Sequence, residues 1–360
     1  MRLSNLASIT KRVLIIAPQW IGDAVMTEPL VNDWAQSGFE VSVAALPHIA
    51  PVFRAMQGVE HVVEWSFERK KLELNKRLQT ARHLRGHFEV CVVCPNSFKS
   101  ALIPWFARIP ERVGYVGELR RWLLTKALPN PYRNHRGSMV GFYKALGPPH
   151  AAPTLVRANK KSTDERALDV PHLHVDEALI QKAMSLHHLI RGEYTLIAPG
   201  AEYGPAKRWP TEYFSELARS VCETGGTVVI LGGSADRGVA EQIKNYSEDT
   251  AQELTGKIKN LAGETLLSEA IALIAGAKCI VSNDSGLMHI GAALRVPQVA
   301  IFGSSSPLHT PPLSAQAKVL WLSLPCAPCF KRICPLGHTN CLKGITVGQV
   351  QEALQNCLTL

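Results

Sequence analysis

Apolar residues in this 360-residue chain fall into short unbroken blocks, separated by polar stretches in which apolar positions recur every three or four residues. The blocks at 13–17, 40–44, 59–64 and 90–94 in the first half, and at 194–198, 227–231, 258–261, 279–281 and 298–302 in the second, are rich in Val, Ile and Leu. Continuous apolar runs of this length, bounded by Gly, Pro, Asn and Asp, are the pattern of strands buried on both faces. The segments 24–36, 211–224, 235–246, 266–276, 287–294 and 346–359 carry the helical period. Strands alternating with helices predict parallel sheets covered by helices.

Two of the blocks open alike. Residues 13–17 run into Pro18 and then Gly22-Asp23; residues 194–198 run into Pro199-Gly200. The chain therefore reads as two Rossmann-like α/β domains in tandem: residues 1–185, residues 186–345, and a terminal helix at 346–360 for which a return to the first domain is one option. Ligands of open α/β sheets bind at the carboxyl ends of the strands, so two such sheets are expected to face a central cleft.

Composition sharpens this. With 46% hydrophobic and 19% charged residues the chain can bury two sizeable cores. No apolar run reaches the roughly 18 residues of a membrane span. The first ten residues lack the apolar region of a secretory signal, so the expectation is a cytoplasmic protein with reduced cysteines. The formal charge of +9 is unevenly spread. Residues 66–136 hold 15 basic against five acidic residues, while residues 191–360 hold 14 of each. A concentrated positive field attracts anionic partners. The absence of interleaved aromatic and basic residues argues against nucleic acid, and peripheral contact with an anionic membrane face is expected instead.

Candidate chemistry sits at the strand ends. Asp23, just past the first strand, suits a general base on a hydroxyl or a plain helix cap. Lys207 and Arg208, in the long Gly/Pro-shaped loop after 194–198, bring cations to where phosphate oxygens would lie. Gly232 and Ser234 end the 227–231 strand among small residues that admit a sugar or a flat group, with Asp236 beside them. Asn283-Asp284-Ser285-Gly286, leading to His289, is a strand-to-helix turn that aims backbone N–H groups at a ligand, with Asp284 and Ser285 as caps. The small-residue loop 302–312 suits a sugar or phosphate equally well. Neither a Walker loop nor a Gly-x-Gly-x-x-Gly fingerprint is present, against an NTPase or a dehydrogenase. Cys326, Cys329, Cys334 and Cys341 have only one close-spaced pair, so a metal site is not the preferred reading.

The segments 20–30, 96–102, 200–210, 283–289 and 302–307 resemble the ADP-heptose:lipopolysaccharide heptosyltransferases (glycosyltransferase family 9). The cysteine run 325–341 is similar to that of the branch adding the second core heptose. The resemblance covers nearly the whole chain. It implies a GT-B architecture with the acceptor on the first domain and the nucleotide sugar on the second. It also implies inverting transfer of L-glycero-D-manno-heptose from ADP-heptose to the first heptose of the lipopolysaccharide inner core, without metal or other cofactor. Asp23 falls on the family's general base and Lys207 on the lysine facing the donor pyrophosphate. Arg208, Asp284, Ser285, Gly286 and His289 fall on the donor side, with Gly232 and Ser234 nearby. Lys99, Arg120 and Arg121 are the expected cations for the anionic inner-core acceptor, alongside the basic run Arg69-Lys70-Lys71. Transfer to a different core acceptor, or a nucleotide-sugar epimerase of the same fold, are the alternatives.

Overall fold

A computed structural model describes residues 11–67, 71–133, 136–149, 170–249 and 255–359, with the backbone alone at 248 and 249. The chain divides into two compact units, Met1–Asp169 and Val170–Leu360. The expected boundary at 185/186 is thus too late. Helix Glu177–Leu186 packs on helix Leu267–Gly276 of the second unit, burying Ile180, Ala183 and Met184 before the new sheet begins. The tail of the expected first domain is therefore the first layer of the second.

Each unit holds a six-stranded, wholly parallel sheet. In the first the strands are β1 (Lys11–Ile16), β2 (Phe39–Ala45), β3 (Val59–Glu64), β4 (Val90–Val93), β5 (Glu111–Tyr115) and β6 (Lys126–Leu128), in the order β3-β2-β1-β4-β5-β6. In the second they are β7 (Tyr194–Ala198), β8 (Thr227–Ile230), β9 (Ile258–Asn260), β10 (Cys279–Asn283), β11 (Gln298–Phe302) and β12 (Ala317–Trp321), in the order β9-β8-β7-β10-β11-β12. The two orders are the same when counted from each unit's first strand. In each sheet the order in which strands are added reverses between the first and fourth strands, and at that switch point the neighbouring loops diverge and leave room for a ligand. All the anticipated strands are present. β5, β6 and β12 were not anticipated: β5 reads Glu-Arg-Val-Gly-Tyr, β6 has three residues, and β12 is an edge strand with a charged, half-exposed pattern.

The expected helix 24–36 is two helices, Ile21–Met26 and Glu28–Gln36. Pro29 supplies no N–H to the preceding turn, and the Thr27 hydroxyl donates back to the Ala24 carbonyl, closing the first helix. The terminal helix Val347–Leu358 starts with a capping box, Thr346 against Gln349. It stays with the second unit rather than returning to the first. Its buried stripe of Val347, Val350, Ala353, Leu354 and Cys357 joins the core formed by Phe214, Leu217, Val281, Val299 and Ile301. Its period of three and four matches a flat apolar sheet face that would otherwise be open. No described helix is long and apolar enough to cross a membrane.

Candidate active site

The second unit's switch point lies between the carboxyl ends of β7 and β10, and two adjacent residues at the end of β10 organise it. Asn283 is fully buried. Its Oδ1 accepts from the Trp209 backbone N–H at 2.9 Å and its Nδ2 donates to the Pro199 carbonyl at 2.6 Å. Both ends of the loop 199–209 are thereby tied to the strand next door. Asp284 follows with its carboxylate turned toward that loop. Its Oδ2 accepts from Lys207 Nζ and from Ser305 Oγ, each at 2.5 Å, and Thr310 Oγ1 reaches Oδ1 at 3.5 Å. Asp284 is nearly buried and Lys207 mostly so. An ion pair in such a setting is held by low dielectric on both sides, and it fixes an ammonium group whose remaining N–H bonds are free to point elsewhere.

Asp284 and Ser285 do not cap the following helix, Gly286–Ala293, as expected. Ser285 takes the extended N-cap conformation, but no side-chain cap bond forms there. Asp284 is instead the anchor of Lys207. Ser285 Oγ and Ser304 Oγ are buried and meet no hydrogen-bond partner, as is Arg208 Nε. Buried donors without partners are costly, and these three belong to residues next in sequence to Asp284, Ser305 and Lys207, the members of the ion-pair cluster. Such a cluster of donors fits a diphosphate.

Arg208 pairs with Asp236 across 3.4 Å. Asp236 Oδ2 accepts from the Gly233 N–H at 3.1 Å. A Cβ on Gly200 would lie 2.3 Å from Asp236 Oδ2, and one on Gly232 would lie 2.8 Å from Asp236 Cβ. Glycine at both positions is what lets this carboxylate settle over the ends of β7 and β8. Gly232 is half-buried and Ser234 is exposed beside it. His289, on the first turns of the helix Gly286–Ala293, is almost wholly buried. Burial presses its pKa down to about 4; Asp284 opposes this and Lys207 adds to it. It is a neutral imidazole behind the ion pair rather than an exposed ligand group.

The cysteine segment has a role that its spacing did not reveal: it braces the Lys207 loop. Arg332 O accepts from Ala206 N, Phe330 N donates to Ser304 O at 2.7 Å, and Tyr203 Oη donates to Phe330 O at 2.7 Å. The Arg332 guanidinium and the Lys207 ammonium both lie over the Tyr203 ring, at 5.4 and 5.2 Å. A Cβ on Gly204 would meet the Arg332 carbonyl at 2.5 Å, at a φ of +155°. Among the described residues no group of three or more His, Cys, Asp or Glu is placed to hold a metal ion.

In the first unit Asp23 stands in the first turn of helix Ile21–Met26, directly after β1; the N-cap is Trp20. The Asp23 carboxylate accepts a hydrogen bond from the buried Tyr143 hydroxyl, whose pKa is driven up by burial and then by that carboxylate. Helix Met139–Lys144, which carries Tyr143, packs on the Asp23 helix. Nothing in the local sequence around Tyr143 signals this, because the partner lies 120 residues away.

Lys99 and Arg121 are at the carboxyl ends of β4 and β5, half-buried and exposed respectively. Of the run Arg69-Lys70-Lys71 only Lys71 lies within the described residues. Arg120 corrects the expectation of an acceptor-binding cation: its side chain is 0% exposed. Its guanidinium donates to the carbonyls of Tyr115, Pro95 and Ser97, to Ser100 Oγ and to Asn96 Oδ1. Burial lowers its pKa to about 10, and it remains charged. Arg120 is a clamp that welds the loop after β4 to the end of β5. Five donors in a rigid fork suit that task.

Residues 77–340 match the sequence profile of glycosyltransferase family 9 (heptosyltransferase). The chain is similar to a lipooligosaccharide heptosyltransferase 2 of Haemophilus ducreyi, 37% identical over 320 residues, covering 86% of this chain and 88% of that one. It is similar to a lipopolysaccharide heptosyltransferase 2 of Salmonella typhimurium, 36% identical over 355 residues, covering 97% and 99%. The solved structure of the Escherichia coli ADP-heptose lps heptosyltransferase II superposes with a TM-score of 0.81 at 34% identity, covering 97% of this chain and 98% of that one.

Two measurements check this description. Arg120→Met should cost about 3 kcal/mol, because the carbonyls it serves stay buried, and so lower the thermal midpoint by roughly 10 °C; an unchanged midpoint with only a raised KM would restore it as a ligand group. For His289, the unfolded imidazole takes up a proton below about pH 6.5, whereas the folded one does so only near pH 4. The unfolded state therefore binds more protons in that window, and stability falls as pH drops through it. Between pH 7 and pH 5 the loss is about 2 kcal/mol. Denaturant titrations should show this slope flattened in His289→Gln; the same slope in both proteins contradicts the assignment.

Proposed function

The chain belongs to glycosyltransferase family 9 and is a lipopolysaccharide heptosyltransferase of the type 2 kind, and we propose a division of labour in which the second unit holds the donor and the first supplies the base. The donor is ADP-heptose and the acceptor is the first heptose of the anionic lipopolysaccharide inner core. A hydroxyl oxygen of that heptose attacks the anomeric carbon. The bond from that carbon to the β-phosphate oxygen breaks, ADP leaves, and the configuration inverts. The hydroxyl proton passes to Asp23, which the Tyr143 hydroxyl holds in one orientation. Tyr143 is a positioning residue in this scheme.

The observation that carries the reading is the fixed cation at the second switch point. Lys207 is pinned by Asp284 and Ser305, with Arg208 next to it and the unpartnered hydroxyls of Ser285 and Ser304 close by. In the transition state, negative charge grows on the β-phosphate. Donors that are already oriented stabilise such charge without reorganising. The oriented donors of Lys207, Arg208 and the helix start take up that charge in the scheme, which uses no metal and no other cofactor. Lys99 and Arg121 are the proposed acceptor cations, and the lipid-bearing acceptor brings the protein to the inner face of the membrane.

Asp23→Asn should keep ADP affinity while turnover falls at least about a hundredfold, the scale of losing a general base. Lys207→Ala should lose both ADP affinity and rate. Calorimetric titration with ADP beside an ADP-release assay reads both. Full turnover in Asp23→Asn removes that residue from the chemistry, and unchanged ADP affinity in Lys207→Ala removes the lysine from the donor site.

A further inference from the structure

Three loops at the carboxyl edge of the first sheet converge on the start of helix Phe98–Phe106. Arg77, buried in helix Leu74–Leu84, donates from Nε to Leu72 O at 2.7 Å and from Nη1 to Lys99 O at 3.0 Å. This holds the segment after β3 against that helix. On the other side the Glu118 carboxylate accepts the Phe98 N–H at 2.8 Å, holding the turn after β5. Each loop presents apolar side chains to solvent: Leu72 and Leu74 from the first, Phe98 from the second, Leu119 and Trp122 from the third. Leu119 is 89% exposed and Trp122 86%. Leu119 also sits at φ +59°, a left-handed conformation that a branched apolar residue adopts at a cost. It buries almost nothing in the fold in return.

The same segments carry cations. Lys71, Lys76, Lys99 and Arg121 belong to the same three loops and helix starts. Among the described residues the acidic ones there are Glu73, which lies 3.8 Å from Lys76, and Glu118, which is engaged by the Phe98 N–H. We propose that this edge is a docking surface for an anionic lipid bilayer: Leu119 and Trp122 enter the interfacial layer, Leu72, Leu74 and Phe98 rest on it, Lys71 and Lys76 meet the headgroups, and Lys99 and Arg121 stay with the anionic head of the lipid-linked acceptor. The inference rests on the reading above that the acceptor is lipid-linked. Separate apolar tips set among cations suit a fluid interface, which moulds itself to each tip, better than a protein partner, which needs one continuous apolar patch. Tryptophan is the side chain most at home in that layer, and basic residues add attraction to anionic headgroups.

The test is sedimentation of the full chain with vesicles of phosphatidylglycerol and phosphatidylethanolamine, and with vesicles of phosphatidylcholine alone. The wild type should bind the anionic vesicles, more weakly as salt rises, and bind phosphatidylcholine poorly. The double variant Leu119→Ser, Trp122→Ser should partition at least about tenfold less with an unchanged melting midpoint. Transfer to a deacylated, water-soluble acceptor should be the same in both proteins. Failure of the wild type to bind anionic vesicles, or equal binding by the variant, overturns the proposal. So does a variant whose transfer to the soluble acceptor falls, since the tips would then be part of the sugar site. The vesicle measurement uses neither donor nor acceptor, so it stands apart from any failure of the transferase reading.

Discussion

The proposed donor site depends on two neighbouring side chains at the end of β10. Asn283 uses both ends of its amide to bind the two ends of the loop after β7. Asp284 then holds Lys207, which that loop delivers. The first contact fixes the loop's two ends to the sheet, and the second fixes the ammonium that the loop carries. The Lys207–Asp284 pair is neutral overall, so it offers an anion oriented N–H donors rather than net charge, and the carboxylate oxygens are taken up by Lys207, Ser305 and Thr310. Its effect is to spend no reorganisation when charge develops on the ligand. The cysteine segment supports the same loop from outside, through Phe330, Arg332 and Tyr203.

The two sheets share one topology and use it differently. In the second unit, the residues past the first and fourth strands meet to hold one fixed cation, Lys207. In the first unit, the residue past the first strand is Asp23, and the loop past the fourth is locked by Arg120. A buried arginine that serves five neighbouring oxygens is a rigid frame, and it keeps the loops after β4 and β5 in register with each other. The half-buried Lys99 and the exposed Arg121 are carried on that frame. Function thus sits in side chains grafted on a repeated scaffold.

Much of this is legible in the sequence, for physical reasons. Strands buried on both faces must be continuous runs of Val, Ile and Leu, so β1, β2, β4, β7, β8, β10 and β11 stand out. β5, β6 and β12 lie away from the centre of each sheet, where charge is tolerated and the run is broken, and they pass unnoticed. Strand ends mark the site, so Asp23, Lys207, Arg208 and Asp284 can be picked out. Their partners are harder to find. A basic residue in a basic region reads as a surface cation, and only the fold shows that Arg120 is enclosed while Arg121, one position on, is exposed. Tyr143 has no local signal at all, because its meaning comes from a helix packed against a distant one. The terminal helix was visible in its periodicity, but a stripe of apolar residues does not say which sheet it covers.

The central claim is that this chain moves a heptosyl group from ADP-heptose onto an inner core that already bears one heptose. The most direct measurement is ADP release from ADP-heptose with lipopolysaccharide acceptor carrying a single core heptose, beside acceptor with none. Release that requires the first heptose, with a heptosylated product of one added unit, is the predicted result. Release only with the heptose-free acceptor, or ADP-heptose turnover that ignores the acceptor altogether, would contradict it.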